Sequence, residues 1–379
     1  MDFALSNEHK LLRESAQDFA ERVIRPRVRW MEETDDIPWD VIKEMGKRGF
    51  IGVCVPQEYG GTGQGHLARM IIVEEIGKIS AACAFFLQIF HLGIAPIVDF
   101  GSPEQKARYL PSLARGERLA ALALTETTGG SDPGGLRTKA KRRGDLYVLN
   151  GKKVFITNAH VADTFIVVAR TSEGRRGVSA LIVDKNTPGF RLGRKEQKFG
   201  IRGCNTGQLI FENAEVPAAN LLSEEGRGLG IAFKAIGEVG RTGTAGCALG
   251  VLHACLETAT RRAKGRKLYG RPIAELQGIQ WPLAEIYLDL EIAKLLCYRA
   301  AWLVDRGGRC DGEIAAAKFH STEAAVRSAK KTVDIYGGYG YLDGGVPQRL
   351  YRDAECLIAS AGTSEVMRIV MARVALSYQ

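Results

Sequence analysis

The sequence predicts a multi-domain α+β protein with an N-terminal α-helical domain, a central β-barrel or β-sandwich domain and a C-terminal four-helix bundle. The spacing of hydrophobic residues changes from a helical period to a strand period near residue 119 and returns to a helical period near residue 225. A chain of 379 residues with 45% hydrophobic and 25% charged residues has a globular composition and the length of two or three domains. We therefore predict domains at 1–118, 119–224 and 225–379.

The N-terminal domain is predicted to be helical because its apolar residues recur three or four positions apart. Leu12, Phe19 and Ile24 follow this spacing, and Ser6 stands where a helix N-cap is expected. The same pattern predicts three further helices and a connector rich in glycine, at residues 41–45, 70–79, 104–114 and 56–65. The stretch 81–98 is the most membrane-like in the chain. Since it contains Gln, His, Gly and Pro, we expect a buried core helix there.

The central domain is predicted to be a β structure of about 100 residues, because short apolar runs lie between Gly, Pro and Asp. The runs 165–169, 178–183 and 208–211 are expected strands. Residues 147–149 and 154–156 flank Asn150-Gly151, a pair that favours a hairpin turn. A second hairpin approach is predicted where the basic run 139–143 meets Gly144-Asp145.

The C-terminal domain is predicted to be a helical bundle because long amphipathic segments return after residue 225. Two of these segments are long enough for bundle helices that are apolar on a broad face. The expected helices cover residues 229–238, 242–264, 276–305, 313–336 and 363–376.

The net charge, the cysteines and the N-terminus indicate which partners, metals and location to expect. The formal net charge is +9, from 52 basic and 43 acidic residues, which favours an anionic partner. The basic residues lack the clustering with aromatic residues that a nucleic-acid surface needs, so we expect no nucleic-acid partner. The eight cysteines are scattered without CxxC or zinc spacing, so we expect free thiols and no metal. The N-terminus has no secretory pattern, and a cytoplasmic protein without a membrane anchor is expected.

The usual nucleotide-binding and nucleophile motifs are missing: there is no P-loop, no dinucleotide GxGxxG and no GxSxG. Three other segments combine small residues, hydroxyls, aromatic rings and arginines. They are Ala-Leu-Thr-Glu-Thr-Thr-Gly-Gly-Ser-Asp at 123–132, Arg-Lys-Leu-Tyr-Gly-Arg-Pro-Ile at 266–273, and Asp-Ile-Tyr-Gly-Gly-Tyr-Gly-Tyr at 334–341. Tyr-Arg-Asp-Ala at 351–354 and Ala-Gly-Thr-Ser-Glu-Val-Met-Arg at 361–368 follow. Each could be structural by itself.

In this order and at these separations, the segments resemble the acyl-CoA dehydrogenase family over essentially the whole chain. Val-Phe-Ile-Thr-Asn at 154–158 adds to the resemblance. The resemblance implies an α–β–α fold and FAD at the domain junction, in a homotetramer or homodimer. It further implies an acyl-CoA or acyl-carrier-protein substrate, and an electron-transfer flavoprotein or O2 as electron acceptor.

The resemblance also implies which residues bind FAD. Leu124 and Thr125 would contact the pyrimidine edge of the flavin, and Phe155 and Thr157 would flank its ring. Ser131 would lie near the pyrophosphate or the thioester ligand. The other implied cofactor residues are Gly130, Thr363 and Glu365, and a further set would reach the FAD of a neighbouring subunit: Arg266, Tyr269, Gln277, Gly337 and Gly338. Two positions depart from the family pattern: Phe155 replaces a common Trp, and Asp334 replaces a usual Gln.

Substrate binding is implied for a second set of residues. These are Gln88, His91, Ser131, Glu238, Arg241, Ser360 and Gly362. In the chemistry of the family, a carboxylate removes the α proton of an acyl thioester while the β hydrogen leaves as hydride to the flavin.

Neither family position for that carboxylate holds one here. In most members a Glu precedes the Gly-Thr of the last motif, and this chain has Ala361, which offers only its backbone N–H. In a minority the Glu precedes the arginine of the pocket helix, and this chain has Gly240 before Arg241. A relocated base could be Glu238, or Gln88 or His91 acting through a water.

Other chemistries need no base. They include decarboxylation, desulfination, or oxygenation with O2 as in flavin-dependent epoxyketone synthases. A non-catalytic FAD-binding subunit is a further alternative. We expect an atypical oxidoreductase without the usual Glu, with the decarboxylating or oxygenating flavoenzyme as the alternative.

Overall fold

The N-terminal part of the computed structural model is a helical domain. The structure describes residues 4–174 and 177–377, so residues 1–3, 175–176 and 378–379 of the first, second and third predicted domains lie outside the described residues. The helices are α1 (Asn7–Phe19), α2 (Val28–Thr34), α3 (Trp39–Lys47), α4 (Gly65–Ile79), α5 (Ala81–Phe100) and α6 (Pro103–Ala114). A π turn, Ala20–Ile24, and a 3-10 turn, Arg25–Arg27, join α1 to α2. The hydroxyl of Ser6 accepts from the N–H of His9, which confirms the predicted N-cap.

The helix α5 lies at the centre of the molecule. It is the one helix of the described chain that is long and apolar enough to cross a membrane, but most of its side chains are buried inside the protein. Gly93 packs against β1 so closely that a Cβ there would lie 2.5 Å from the carbonyl carbon of Ala120. The prediction of a buried core helix is confirmed.

The middle of the chain forms a curled mixed sheet of seven strands. The strands are β1 (Ala120–Ala123), β2 (Lys139–Arg143), β3 (Leu146–Thr157), β4 (Thr164–Arg170), β5 (Val178–Asp184), β6 (Phe190–Lys195) and β7 (Thr206–Pro217). The order is β1-β4-β2-β3-β7-β6, with β5 paired to β4. The pair β1 and β4 is parallel, whereas β2–β3, β3–β7, β6–β7 and β4–β5 are antiparallel.

The hairpin predicted at Asn150-Gly151 is wrong, because residues 147–149 and 154–156 belong to the single strand β3. The register against β7 shifts at this point, and the amide of Asn150 exchanges hydrogen bonds with Asn213 on β7. Gly151 is needed there because a Cβ would lie 2.5 Å from Oγ1 of Thr138. The pair therefore makes a bulge, and the true turn is the predicted one at Gly144-Asp145 between β2 and β3.

The C-terminal part is a helical bundle with a small two-stranded ribbon. Its elements are α7 (Gly228–Ala235), α8 (Thr242–Gly265), β8 (Lys267–Leu268), β9 (Arg271–Pro272), α9 (Gln277–Asp305), α10 (Asp311–Tyr336), α11 (Val346–Ile358) and α12 (Ser364–Leu376). A π turn, Ile236–Arg241, joins α7 to α8. The helix α8 contacts α4, α9, α10 and α11, so the bundle shares its core with the N-terminal helices. The helix α11 is not among the helices predicted from the sequence.

Candidate functional site

A cavity of about 520 Å³ lies where the three parts of the chain meet. Its wall comes from α5, the end of β1, β3, the segment before β7, the π turn before α8, and the end of α11. Seven of the residues predicted to bind cofactor or substrate line it together, namely Gln88, Leu124, Thr125, Phe155, Thr157, Ser360 and Ala361. The remaining wall is mainly apolar, with Phe85, Ile89 and Leu92 on α5.

Two exposed aromatic residues, Phe155 and Phe199, lie at the edge of this cavity. Phe155 has φ +57°, a left-handed conformation at a register shift between β3 and β7. The bulge turns its ring out of the sheet, and 64% of the residue is exposed although it lines the cavity. Phe199 lines the same cavity and is also exposed. Two uncovered rings beside a cavity suit a flat heteroaromatic ligand.

A buried ion pair supports the loop that follows β1. Nζ of Lys153 lies 2.7 Å from Oε1 of Glu126 and donates to the carbonyl of Leu124 at 2.9 Å. Glu126 also accepts from the backbone N–H groups of Arg137 and Thr138. Burial, opposed by Glu126, lowers the pKa of Lys153 to about 8. The pair therefore holds Leu124 and Thr125 against β3.

The turn between α11 and α12 directs Ala361 into the cavity. Ala361 has φ +55° and Gly362 has φ +114°, so this turn reverses the chain sharply. Nε of Arg241 donates to the Ala361 carbonyl at 3.4 Å. A Cβ on Gly240 would lie 3.5 Å from Cβ of Ala361. The two sequence positions considered for a carboxylate therefore face each other, and none of the described residues that line the cavity is Asp or Glu.

Gln88 and His91 occupy different environments. Gln88 lines the cavity with its buried Oε1 unpartnered. His91 borders a separate cavity of about 50 Å³, and its Nε2 lies 2.8 Å from the carbonyl oxygen of Phe50. Since that oxygen can only accept, Nε2 carries the proton. Burial and the charge of Arg69 lower the pKa of His91 to about 3, so the ring is neutral.

Glu238 also lies outside the main cavity. It borders the small one, and its carboxylate pairs with Lys234, which pairs with Asp99 as well. This placement gives no support to its predicted role as a relocated base.

The remaining predicted cofactor residues lie at the surface or at helix ends. The five residues that are expected to reach a neighbouring subunit are all exposed, namely Arg266, Tyr269, Gln277, Gly337 and Gly338. Gly130 and Ser131 are exposed too, and a Cβ on Gly130 would lie 3.4 Å from Cγ2 of Thr125. The hydroxyl of Thr363 caps α12, and Glu365 lies in its first turn. Their roles stay predictions.

Several residues of the wall were missed. Lys198, Phe199, Ile236 and Cys356 line the cavity but were not predicted. Phe199 belongs to a loop without periodicity, and the others sit in segments whose side-chain direction depends on tertiary packing. The sequence offers an aromatic residue next to a glycine, Phe199-Gly200, as a weak local signal.

Two helical parts around a curled sheet, with an apolar cavity at their junction, define an acyl-CoA dehydrogenase-like flavoprotein. Models of the acyl-CoA dehydrogenase N-terminal, middle and C-terminal domains match residues 6–117, 121–214 and 226–376. The chain belongs to the acyl-CoA dehydrogenase family and is an acyl-CoA dehydrogenase-like enzyme.

Its relatives match it from end to end. Acyl-CoA dehydrogenase of Bacillus subtilis (strain 168) is 46% identical over 372 residues, 97% of this chain and 98% of that protein. Caffeyl-CoA reductase-Etf complex subunit CarC of Acetobacterium woodii is 38% identical over 370 residues, 97% of each chain. The structure of butyryl-CoA dehydrogenase from Megasphaera elsdenii has a TM-score of 0.97 at 36% identity, covering 99% of this chain and 100% of that chain.

FAD is the cofactor, since the family is FAD-dependent. The residues present fit it: the exposed Phe155 ring and the braced Leu124-Thr125 segment border one cavity, as a flat ring system beside a substrate requires. Bound there, FAD supplies a two-electron acceptor next to the substrate.

Proposed function

We propose that this flavoenzyme oxidises an acyl thioester without a carboxylate base, the α proton passing to a water held by the unpartnered Oε1 of Gln88 on the cavity wall. The observation that carries the proposal is the wall around Ala361, where neither Ala361 nor the facing Gly240 offers a carboxylate. Glu238 is engaged with Lys234, and His91 lies outside the cavity with a pKa of about 3, too weak to accept an α proton near neutral pH.

The remaining residues can bind and orient the substrate. Phe85, Ile89 and Leu92 give the acyl group an apolar wall that excludes water. The Ala361-Gly362 turn offers backbone N–H groups to a thioester carbonyl, and the bond from Arg241 to the Ala361 carbonyl fixes this turn.

A substrate that loses CO2 is the second candidate, and the same wall favours it. When the bond between the α carbon and a carboxyl group breaks, its electron pair stays on the α carbon and CO2 leaves. No proton acceptor is needed for that step. Oxygenation of the resulting species would require O2 to enter the cavity.

The proposed substrate carrier is coenzyme A and the proposed acceptor is an electron-transfer flavoprotein. The support is the relative CarC, a subunit of a caffeyl-CoA reductase-Etf complex. An acyl carrier protein and O2 are the alternatives. A cytoplasmic location is part of the proposal.

A homotetramer, or a homodimer, is supported by an exposed apolar stripe on α9. Its members recur at spacings of seven, four, three and seven residues, namely Trp281, Leu288, Ile292, Leu295 and Trp302. Such a stripe is typical of a helix that packs against another copy. Tyr269, 90% exposed, would then approach the FAD of the neighbour.

Anaerobic mixing tests the proposal. FAD-loaded protein is mixed with acyl-CoAs of graded length, with β-keto acids and with acyl thioesters that carry an α-carboxyl group. Flavin bleaching by saturated acyl-CoAs supports base-free oxidation, whereas bleaching only with the carboxylated compounds, with CO2 release, supports the decarboxylating enzyme. Absence of bleaching by every compound would contradict both.

A further inference from the structure

The helix α4 carries an arginine that is buried without an acidic partner. Arg69 is 0% exposed, and no carboxylate of the described chain forms an ion pair with it. A buried guanidinium without a counter-ion is costly unless its donors are satisfied by other groups. The hydrogen-bond partners of Arg69 therefore indicate its structural role.

The Arg69 guanidinium donates three hydrogen bonds to the short segment of residues 238–242. Nη1 donates to the carbonyl of Val239 at 3.2 Å, and Nη2 donates to the carbonyl of Glu238 at 3.2 Å and to Oγ1 of Thr242. The hydroxyl of Thr242 itself donates to the Glu238 carbonyl. Nε has no hydrogen-bond partner among the residues that the structure describes, and Arg69 borders the small cavity of about 50 Å³, which has room for water.

Glu238 and Val239 belong to the π turn Ile236–Arg241, and Thr242 is the first residue of α8. A π turn bonds i to i+5 and takes one residue more than an α turn, so its carbonyls do not match the regular ladder of the helices on either side. Arg69 adds a charged donor to two of these carbonyls. Both also accept from Thr242, the Glu238 carbonyl from its hydroxyl and the Val239 carbonyl from its backbone N–H. Arg69 thus stabilises the π form.

The π turn in turn shapes the main cavity. Ile236, at its start, lines the cavity. Gly240 faces Ala361, and Arg241 donates to the Ala361 carbonyl. One residue fewer in the turn would rotate the preceding residues by about 100° around the helix axis and move Ile236 away from the wall.

We propose that Arg69 is a positioning residue that holds the π turn and thereby sets which acyl groups the cavity accepts. It does not line the main cavity, so it acts through the turn. The selectivity part of the inference rests on the proposed acyl-thioester site, whereas the link between Arg69 and the turn does not.

The stability test is a double-mutant cycle. The variants are Arg69→Met, which keeps the length but removes the donors, a deletion of Gly237, which shortens the turn to an α turn, and both changes together. Arg69→Met is expected to lower the Tm of the intact chain clearly and to change the Tm of the shortened chain much less. Equal losses in the two backgrounds would overturn the inference.

The selectivity test uses binding, so it does not depend on turnover. The Kd of acyl-CoAs that differ by one methylene is read from the change in the flavin spectrum. Arg69→Met is expected to reduce the discrimination between neighbouring chain lengths by about 10-fold, and Arg69→Lys to restore part of it. The matched control is Arg48→Met, a half-buried arginine that pairs with Asp18 and Glu44 on the N-terminal domain.

Two results would contradict the proposal. One is unchanged discrimination in Arg69→Met. The other is a loss of binding confined to acyl-CoAs with a distal carboxylate, which would make Arg69 a direct partner of the ligand. Because Arg69→Lys retains a buried cation, it keeps the test decisive if Arg69→Met does not fold. Failure of every acyl-CoA to perturb the flavin spectrum in the wild type would count against the proposed function, while the Tm cycle would still decide the role of Arg69.

Discussion

Replacing Ala361 by glutamate should create fast acyl-CoA oxidation. The position suits the change because Ala361 lines the cavity and already has φ +55°, so a longer side chain adds no new backbone strain. The facing Gly240 leaves room, since even a Cβ there would lie 3.5 Å from Cβ of Ala361. A positioned general base contributes about 10²- to 10⁴-fold to a proton transfer. We therefore expect flavin reduction by a saturated acyl-CoA to accelerate by about that factor.

The assay is anaerobic stopped-flow measurement of the absorbance of oxidised flavin. Ala361→Gln is the matched control, because it has the same shape and cannot accept the proton. FAD content and Tm are measured for each variant. The reasoning is refuted if well-folded, FAD-loaded Ala361→Glu is no faster than Ala361→Gln, or if the wild type already reacts as fast as Ala361→Glu.

The remaining predictions concern the residues that support the cofactor, the pH dependence of stability, and the oligomeric state. Lys153→Met should destabilise the protein by about 3–5 kcal/mol in denaturant unfolding and weaken FAD binding, because Glu126 keeps a buried charge without its partner; an unchanged midpoint would be inconsistent with the proposed bracing. Phe155→Ala should weaken FAD binding about 2- to 12-fold in a fluorescence titration through loss of ring stacking, and an unaltered Kd would exclude that contact. Burial raises the pKa of Asp353 to about 6, above its unfolded value. As the pH rises from about 4 to about 6, the wild type should therefore lose about 3 kcal/mol of stability relative to Asp353→Asn. Parallel pH profiles of stability for the two proteins would contradict this. Leu295→Glu should lower the mass measured by light scattering, whereas an intact assembly would show that α9 is not the interface.

The three-part fold could be predicted because it depends on local periodicity. Helix spacing located α3, α4 and α8 without reference to the rest of the chain. The hairpin at Asn150-Gly151 failed because its turn residues are used for a bulge that Asn213, 63 residues away, completes. No helix is predicted for α11, although Leu350, Ala354 and Leu357 are buried at helical spacing. The reason is that this segment is interpreted through its motif residues and not through its hydrophobic spacing.

The cavity could be predicted only in part, and the reason is physical. Leu124, Phe155 and Ala361 belong to segments whose residue types already suggest a cofactor or substrate site. Arg69 carries no such signal, because the carbonyl of Val239 that it binds lies 170 residues further along the chain. Contacts of this range follow from the packing of α4 against α8 and the preceding turn, which local spacing does not encode.

The proposal that the acyl site has no carboxylate base can be tested by a crystal structure of the FAD-loaded protein with a non-reacting thioether analogue of an acyl-CoA. We expect the α carbon to lie beside Ala361, facing Gly240, with no Asp or Glu oxygen within hydrogen-bond reach of its hydrogens. A carboxylate in contact with that carbon, such as Glu238 released from Lys234, would contradict it.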